Sequence, residues 1–244
     1  MLGFLRRRAR PRRAPPEPNL NALRHSSQAD IEALLAGDPA EAARWVQAAA
    51  RAGLGAAQLR LGRMLLEGAG MPKDEAGAWR WFMTAARDGD AEAMNMVGRC
   101  HENGWGVPAN PTEAASWYRR AAERGEPWAQ YNLGHLLLDG NGVAQNRDAA
   151  FAWYSQAAEQ GHARAMNLLA VCHEKAWGTP QNPALAASWY RRSAEGGYFR
   201  GEYNYATLLL AAGRETEARQ WFARAARHGT PAVKARVMAI LSPL

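Results

Sequence analysis

Apolar residues recur along the chain with helical spacing, and the same spacing returns at a fixed step. Ala114, Trp117, Tyr118 and Ala121 stand at i, i+3, i+4 and i+7, one face of a helix. The four positions recur as Ala42/Trp45/Val46/Ala49, Ala78/Trp81/Phe82/Ala85, Ala150/Trp153/Tyr154/Ala157, Ala186/Trp189/Tyr190/Ser193 and Ala218/Trp221/Phe222/Ala225. Successive tryptophans are 36 residues apart from Trp45 to Trp189, and Trp221 follows 32 later. A constant period of this size marks a stacked-repeat architecture, in which each unit buries its apolar face only against its neighbours. Flanked by alanines on that face, the six tryptophans read as core.

The polar and special residues punctuate this pattern. Asp38, Asp74, Asn110, Asn146 and Asn182 all lie seven before a tryptophan, where a short side-chain oxygen caps a helix start. Pro39, Pro111 and Pro183 then take the first helical position, where the missing N–H costs nothing. Gly53, Gly89, Gly125, Gly161, Gly197 and Gly229 end these helices, suited to a left-handed residue after the last turn. A second helix precedes each one. Its centre carries Leu61-Gly62, Val97-Gly98, Leu133-Gly134, Leu169-Ala170 and Tyr205-Ala206, the small residue allowing close approach of the facing helix. It stops at Gly68/Gly70, Gly104/Gly106, Gly140/Gly142 and a weakened Ala176/Gly178; the turn at 211–214 is shortened, which explains the 32-residue step.

The expected layout is a disordered Arg/Pro-rich basic tail (1–25), an N-terminal helix pair (26–53), five repeats of helix A and helix B (54–230), and a C-terminal capping helix (231–244). The glycine turn GxGV at 104–107 and 140–143, followed by A-x-x-W-[YF]-x-x-A-A-x-x-G, resembles the Sel1-like repeat, a relative of the tetratricopeptide repeat. The likeness spans about three quarters of the chain. It implies an all-α fold, a right-handed α-solenoid of stacked antiparallel helix pairs. It departs from the family pattern at Ala170, Ala176, Ala206 and the shortened last turn, and at His101 and His173, where the family commonly has Tyr.

Composition narrows the function. The net charge of +7 is concentrated in residues 1–25, which hold seven arginines and one glutamate, leaving the repeats nearly neutral. A high overall pI is therefore no sign of a nucleic-acid surface on the repeats. The tail reads as a solvated leader, with weak attraction to an anionic membrane surface as a second use. Neither a secretory signal nor an apolar run of about 20 residues is present, so we expect a cytoplasmic protein, possible contact with the inner membrane coming from the tail. Cys100 and Cys172 occupy the same position two repeats apart and are expected to be free thiols. Arginine outnumbers lysine 27 to 3, which points to a GC-rich, bacterial source.

No residue cluster calls for chemistry. Cys-His-Glu at 100–102 and 172–174 cannot converge on one ion, because consecutive helical residues point about 100° apart. The GxG turns follow helices rather than strands and lack a following Lys-Ser/Thr, unlike phosphate loops. A subgroup of the Sel1-like family is linked to penicillin binding or β-lactam hydrolysis, but it resembles a cysteine-rich, disulfide-bonded form. Paired cysteines and an S-x-x-K motif are both missing here. We therefore expect no enzymatic activity, metal or cofactor, but a scaffold or adaptor gripping a protein or peptide along its concave face. The alternative is an envelope-associated adaptor tethered by the basic tail; a hydrolase ranks below both. In related families the A helices line the concave face. The residues expected there are Asn95, Arg99, Glu102, Tyr131, His135, Asp139, Asn167, Val171, Lys175, Tyr203 and Thr207. Trp105 and Trp177, in the turns of repeats 2 and 4, stand off the ladder as candidate anchors; Trp128 opens helix A of repeat 3.

Overall fold

A computed structural model describes residues 18–23 and 27–241 of the chain. The described residues form fourteen helices and no strand. A short turn, α1 (Leu20–Leu23), and α2 (Gln28–Ala36) lead into the repeats. The B helices are α3 (Pro39–Arg51), α5 (Glu75–Arg87), α7 (Pro111–Ala122), α9 (Arg147–Glu159), α11 (Pro183–Glu195) and α13 (Glu215–His228). The A helices are α4 (Gly55–Glu67), α6 (Ala91–Asn103), α8 (Pro127–Asp139), α10 (Ala163–Lys175) and α12 (Phe199–Ala211). Helix α14 (Pro231–Leu241) closes the stack. From α2 onward each helix packs on the next, and A helices also meet across repeats, α6 on α8 and α10 on α12. The reading of the tail falls mostly outside the described residues; within it, residues 20–23 form α1, a helical turn against α3 rather than disordered chain.

The capping signals act as expected. The side chains of Asp38, Asp74, Asn110, Asn146 and Asn182 each accept a backbone N–H in the first turn of their B helix. Gly53, Gly89, Gly125, Gly161 and Gly197 have positive φ, whereas Gly229 is extended at φ −81°, directly after α13, which runs on to His228.

Packing in the first three repeats centres on one contact. A Cβ placed on Gly62, Gly98 or Gly134 would come within 2.4, 2.6 and 2.6 Å of the ring of Phe82, Tyr118 or Tyr154. The ring of helix B thus lies directly against the bare backbone of helix A. Those aromatics, with Tyr190 and Phe222, are buried. The tryptophans one residue earlier are not core in the same sense: all six are half-buried, at the margin of the apolar layer. Arg120, Arg192 and Arg224 lie over Trp117, Trp189 and Trp221 at 4.2, 4.2 and 4.3 Å, one helical turn on. Residue +1 points to the centre of the helix pair, and the larger indole reaches past its edge, where at these three positions a guanidinium group covers it.

The two glycine positions of the first four A–B turns have different tasks. At the first, Gly104 has φ +74° and ordinary contacts, and Ala176 occupies the same place at φ +55° in repeat 4. At the second, a Cβ on Gly106 would lie 2.3 Å from the carbonyl oxygen of Glu75, in helix B of the preceding repeat. Gly70, Gly142 and Gly178 make the same backbone approach to Pro39, Pro111 and Arg147. Gly104→Ala should cost about 1 kcal/mol, the left-handed penalty alone. Gly106→Ala should cost about 3 kcal/mol or more, since two backbones must separate. Ala176→Gly should stabilise by up to about 1 kcal/mol. Urea denaturation of the three variants measures this, and equal losses for the two Gly→Ala changes would contradict the assignment.

Candidate partner-binding face

The A helices touch one another across repeats, and their shared surface uses some expected contact residues internally. Asn95 and Asn167 are buried: each Oδ1 accepts from the side-chain amide of the next A helix, Asn132 at 3.0 Å and Asn204 at 2.9 Å. Both were expected to face a partner; instead they tie α6 to α8 and α10 to α12. A buried amide is stable only when so bonded. Val171 is half-buried beside Tyr190 and Tyr205.

Other expected residues remain exposed but engaged. Glu102 accepts from the hydroxyl of Tyr118 at 2.6 Å, as Glu174 does from Tyr190. His135 Nδ1 lies 3.0 Å from Asp139, Lys175 lies 3.1 Å from Glu174, and the Thr207 hydroxyl donates to the Tyr203 carbonyl. Arg99 lies over the indole of Trp105 at 5.1 Å, and Arg147 over that of Trp177 at 5.6 Å. Both turn tryptophans are half-buried against the core, so they are packed turn residues with arginine covers. The Cys-His-Glu side chains diverge: Cys100 and Cys172 enter the core as free thiols, burial pushing each up to about 12, while the glutamates turn to the tyrosines. Among the described residues no three His, Cys, Asp or Glu side chains cluster as for a metal ion.

One patch gathers rings and guanidinium groups without closing them off. Trp128 opens α8 at 43% exposure. Edge-on to it is His162, the cap of α10, at 4.4 Å, and Tyr131 lies 5.2 Å from the same imidazole. Arg164 sits over Trp128 at 5.1 Å and over Tyr198 at 5.6 Å. Arg200 follows at the start of α12, beside Phe199, with Tyr203 one turn further. Three A-helix starts thus place a tryptophan and two arginines along one edge. His162, Arg164, Tyr198 and Arg200 were missed by helix periodicity, because they lie at or before the first helical turn. Aligning the 36-residue register column Glu92, Trp128, Arg164, Arg200 would have found the charged members.

The family pattern named "Sel1 repeat" matches residues 33–54, 55–90, 91–126, 129–162, 163–198 and 201–230. Among solved structures, a Sel1 repeat protein from Oxalobacter formigenes is 30% identical with a TM-score of 0.74, over 81% of this chain and 82% of that one. A protective antigen of uropathogenic Escherichia coli, displaying an SLR fold, is also 30% identical, with a TM-score of 0.70 over 90% of this chain; the chain spans only 50% of that protein. An immunity protein from Pseudomonas aeruginosa shares the fold at 20% identity and a TM-score of 0.55, over 93% of this chain and 82% of that one. No curated protein matches by sequence. With repeat boundaries, glycine turns and helix pairing all in agreement, the chain belongs to the Sel1-repeat family.

Proposed function

We propose that this chain is a non-catalytic scaffold that holds a protein partner along the face formed by its A helices. Sel1-repeat proteins are in general helical scaffolds for protein–protein interaction. The observation that carries the reading here is Trp128: a large ring set among Tyr131, His162 and Arg164 that still leaves 43% of its surface exposed. A pre-ordered aromatic surface of this kind supplies contact area at little entropic cost. The exposed Arg99, Glu102, His135, Asp139, Lys175 and Thr207 would form the polar border of the contact. No described helix is long and apolar enough to cross a membrane, and the buried free thiols fit a reducing, cytoplasmic setting.

The patch carries its own pH dependence. His162 accepts the N–H of Ala165 through Nδ1, so its neutral form caps α10. Burial, and secondarily the charge of Arg164, lowers its pKa from 6.5 to about 4. A group whose folded pKa is depressed stabilises the fold above its unfolded pKa, and that contribution is lost as pH falls. Stability should therefore decline from about pH 6.5 to about pH 4, by at most about 2 kcal/mol once solvent screening is allowed for. His162→Asn keeps a capping oxygen and removes the titration. Its stability should fall less over that window; parallel wild-type and variant curves in urea titrations would exclude His162 as the cause.

In-cell cross-linking followed by capture of the full chain tests the scaffold reading. Trp128→Ala with Tyr131→Ala should lower recovery of the principal partner at least tenfold, as loss of a central anchor worth about 2 kcal/mol does. Trp117→Ala, on helix α7, should leave recovery unchanged. Undiminished recovery by the Trp128/Tyr131 variant, with its melting curve intact, would move the partner off this face.

A further inference from the structure

The near-neutral repeats conceal a division of charge. Residues 26–162 carry 12 basic and 17 acidic side chains, net −5; residues 163–241 carry 11 and 5, net +6. Acids of the basic end are partly consumed within the fold: Glu202, fully buried, pairs with Arg224 at 3.2 Å, and Glu217 pairs with Arg214 at 2.6 Å. Among the described residues, Arg164, Arg200 and Arg236 have no carboxylate partner, and Arg164 and Arg200 lie over aromatic rings instead.

Between α12 and α14 is an open cavity of about 350 Å³. Phe199, Tyr203 and Val233 give it an apolar lining, Asn204 adds an amide, and Arg200 and Arg236 stand at its border. Its size suits one or two side chains, not a globular surface. The Trp128 patch leads to it along the starts of α8, α10 and α12. Packed helices are about 8–10 Å apart, so the path is roughly 20 Å, or about six residues of extended peptide.

We propose that the face takes an extended acidic peptide: an apolar side chain rests on Trp128 and Tyr131, and a carboxylate about six residues away enters between Arg200 and Arg236. Arg164, already oriented by Trp128 and Tyr198, receives a carboxylate or backbone carbonyl between them. Guanidinium groups match carboxylates in bidentate geometry, and those pinned on rings lose little freedom on binding. The proposal rests on the A-helix face being the partner surface and adds the chemistry of the partner.

The test is selection from a phage-displayed random dodecapeptide library on the full chain. Enriched sequences should place Asp or Glu five to seven positions from an apolar or aromatic residue. A fluorescein-labelled peptide from that set should bind at least tenfold more weakly to Arg200→Glu/Arg236→Glu, and likewise when its acid is changed to the amide. Binding to Arg119→Glu/Arg191→Glu, on helices α7 and α11, should be unchanged, and melting temperatures identify any variant that fails to fold. Selected peptides without acidic bias, still sensitive to Trp128→Ala, would overturn the acidic partner and leave the face intact. Insensitivity to both sets of variants, or no enrichment at all, would overturn the proposal, the scaffold reading being judged separately by the cross-linking capture. Salt-sensitive self-association abolished by Arg200→Glu/Arg236→Glu would assign the basic end to a second copy's acidic end, and would also overturn it.

Discussion

Everything in this stack depends on how closely a B helix approaches the A helix before it. The approach is set where the aromatic ring at Phe82, Tyr118 or Tyr154 lies on a glycine backbone too close for a Cβ. Packing of this closeness puts ring against backbone and excludes water from both. It also fixes the tilt of the pair, and with it the point where the A–B turn meets the preceding repeat. There the second turn glycine passes within backbone contact of the previous B helix. In the first three repeats two glycines thus transmit register along the chain: one joins helices within a unit, the other joins units. Where repeat 4 replaces glycine by Ala170 and Ala176, the second turn glycine, Gly178, is retained.

Upon this apolar frame lies a polar one of twice the period. The asparagine pairs Asn95–Asn132 and Asn167–Asn204 are 72 residues apart, as are the Tyr118–Glu102 and Tyr190–Glu174 bonds. The intervening repeats instead bury Gln58, Gln130 and Glu202 at a position where α6 and α10 have Met94 and Met166. Buried polar groups demand specific partners, whereas alanine faces pack in any register. An alternation of this kind favours one order of neighbours over a slip by a single repeat. It also removes Asn95 and Asn167 from any binding surface.

The frame was legible in the sequence because it rests on local rules. An Asp or Asn seven before a tryptophan, a proline next to it and a glycine after the last turn each act within a few residues, and the structure places all but Gly229 as expected. Burial was less legible. Trp117 and Tyr118 are adjacent and both aromatic, so the helical pattern assigned both to one face. Only the geometry of the facing glycine shows that the tyrosine is central and the tryptophan marginal. Asn95 on α6 was misassigned for a related reason: a polar residue on an A helix looks solvated unless the asparagine opposite, 37 residues later, is taken into account.

Charge is the property most easily lost by summation. A total near zero for the repeats is compatible with an even surface or with two opposed ends, and the two behave differently toward a partner. Fields from exposed charges persist for roughly 10 Å in moderate salt, about the spacing of neighbouring helices, so what a partner meets is the local column of side chains. Down the first turn of successive A helices that column runs Glu92, Trp128, Arg164, Arg200. Glu92 is neutralised by Arg63, while Arg164 is held by rings that leave its charge uncompensated. The asymmetry gives the face a direction, so a bound chain would have a preferred orientation along the repeats. A repeat fold whose units are geometrically alike acquires that polarity only through substitutions at such a column.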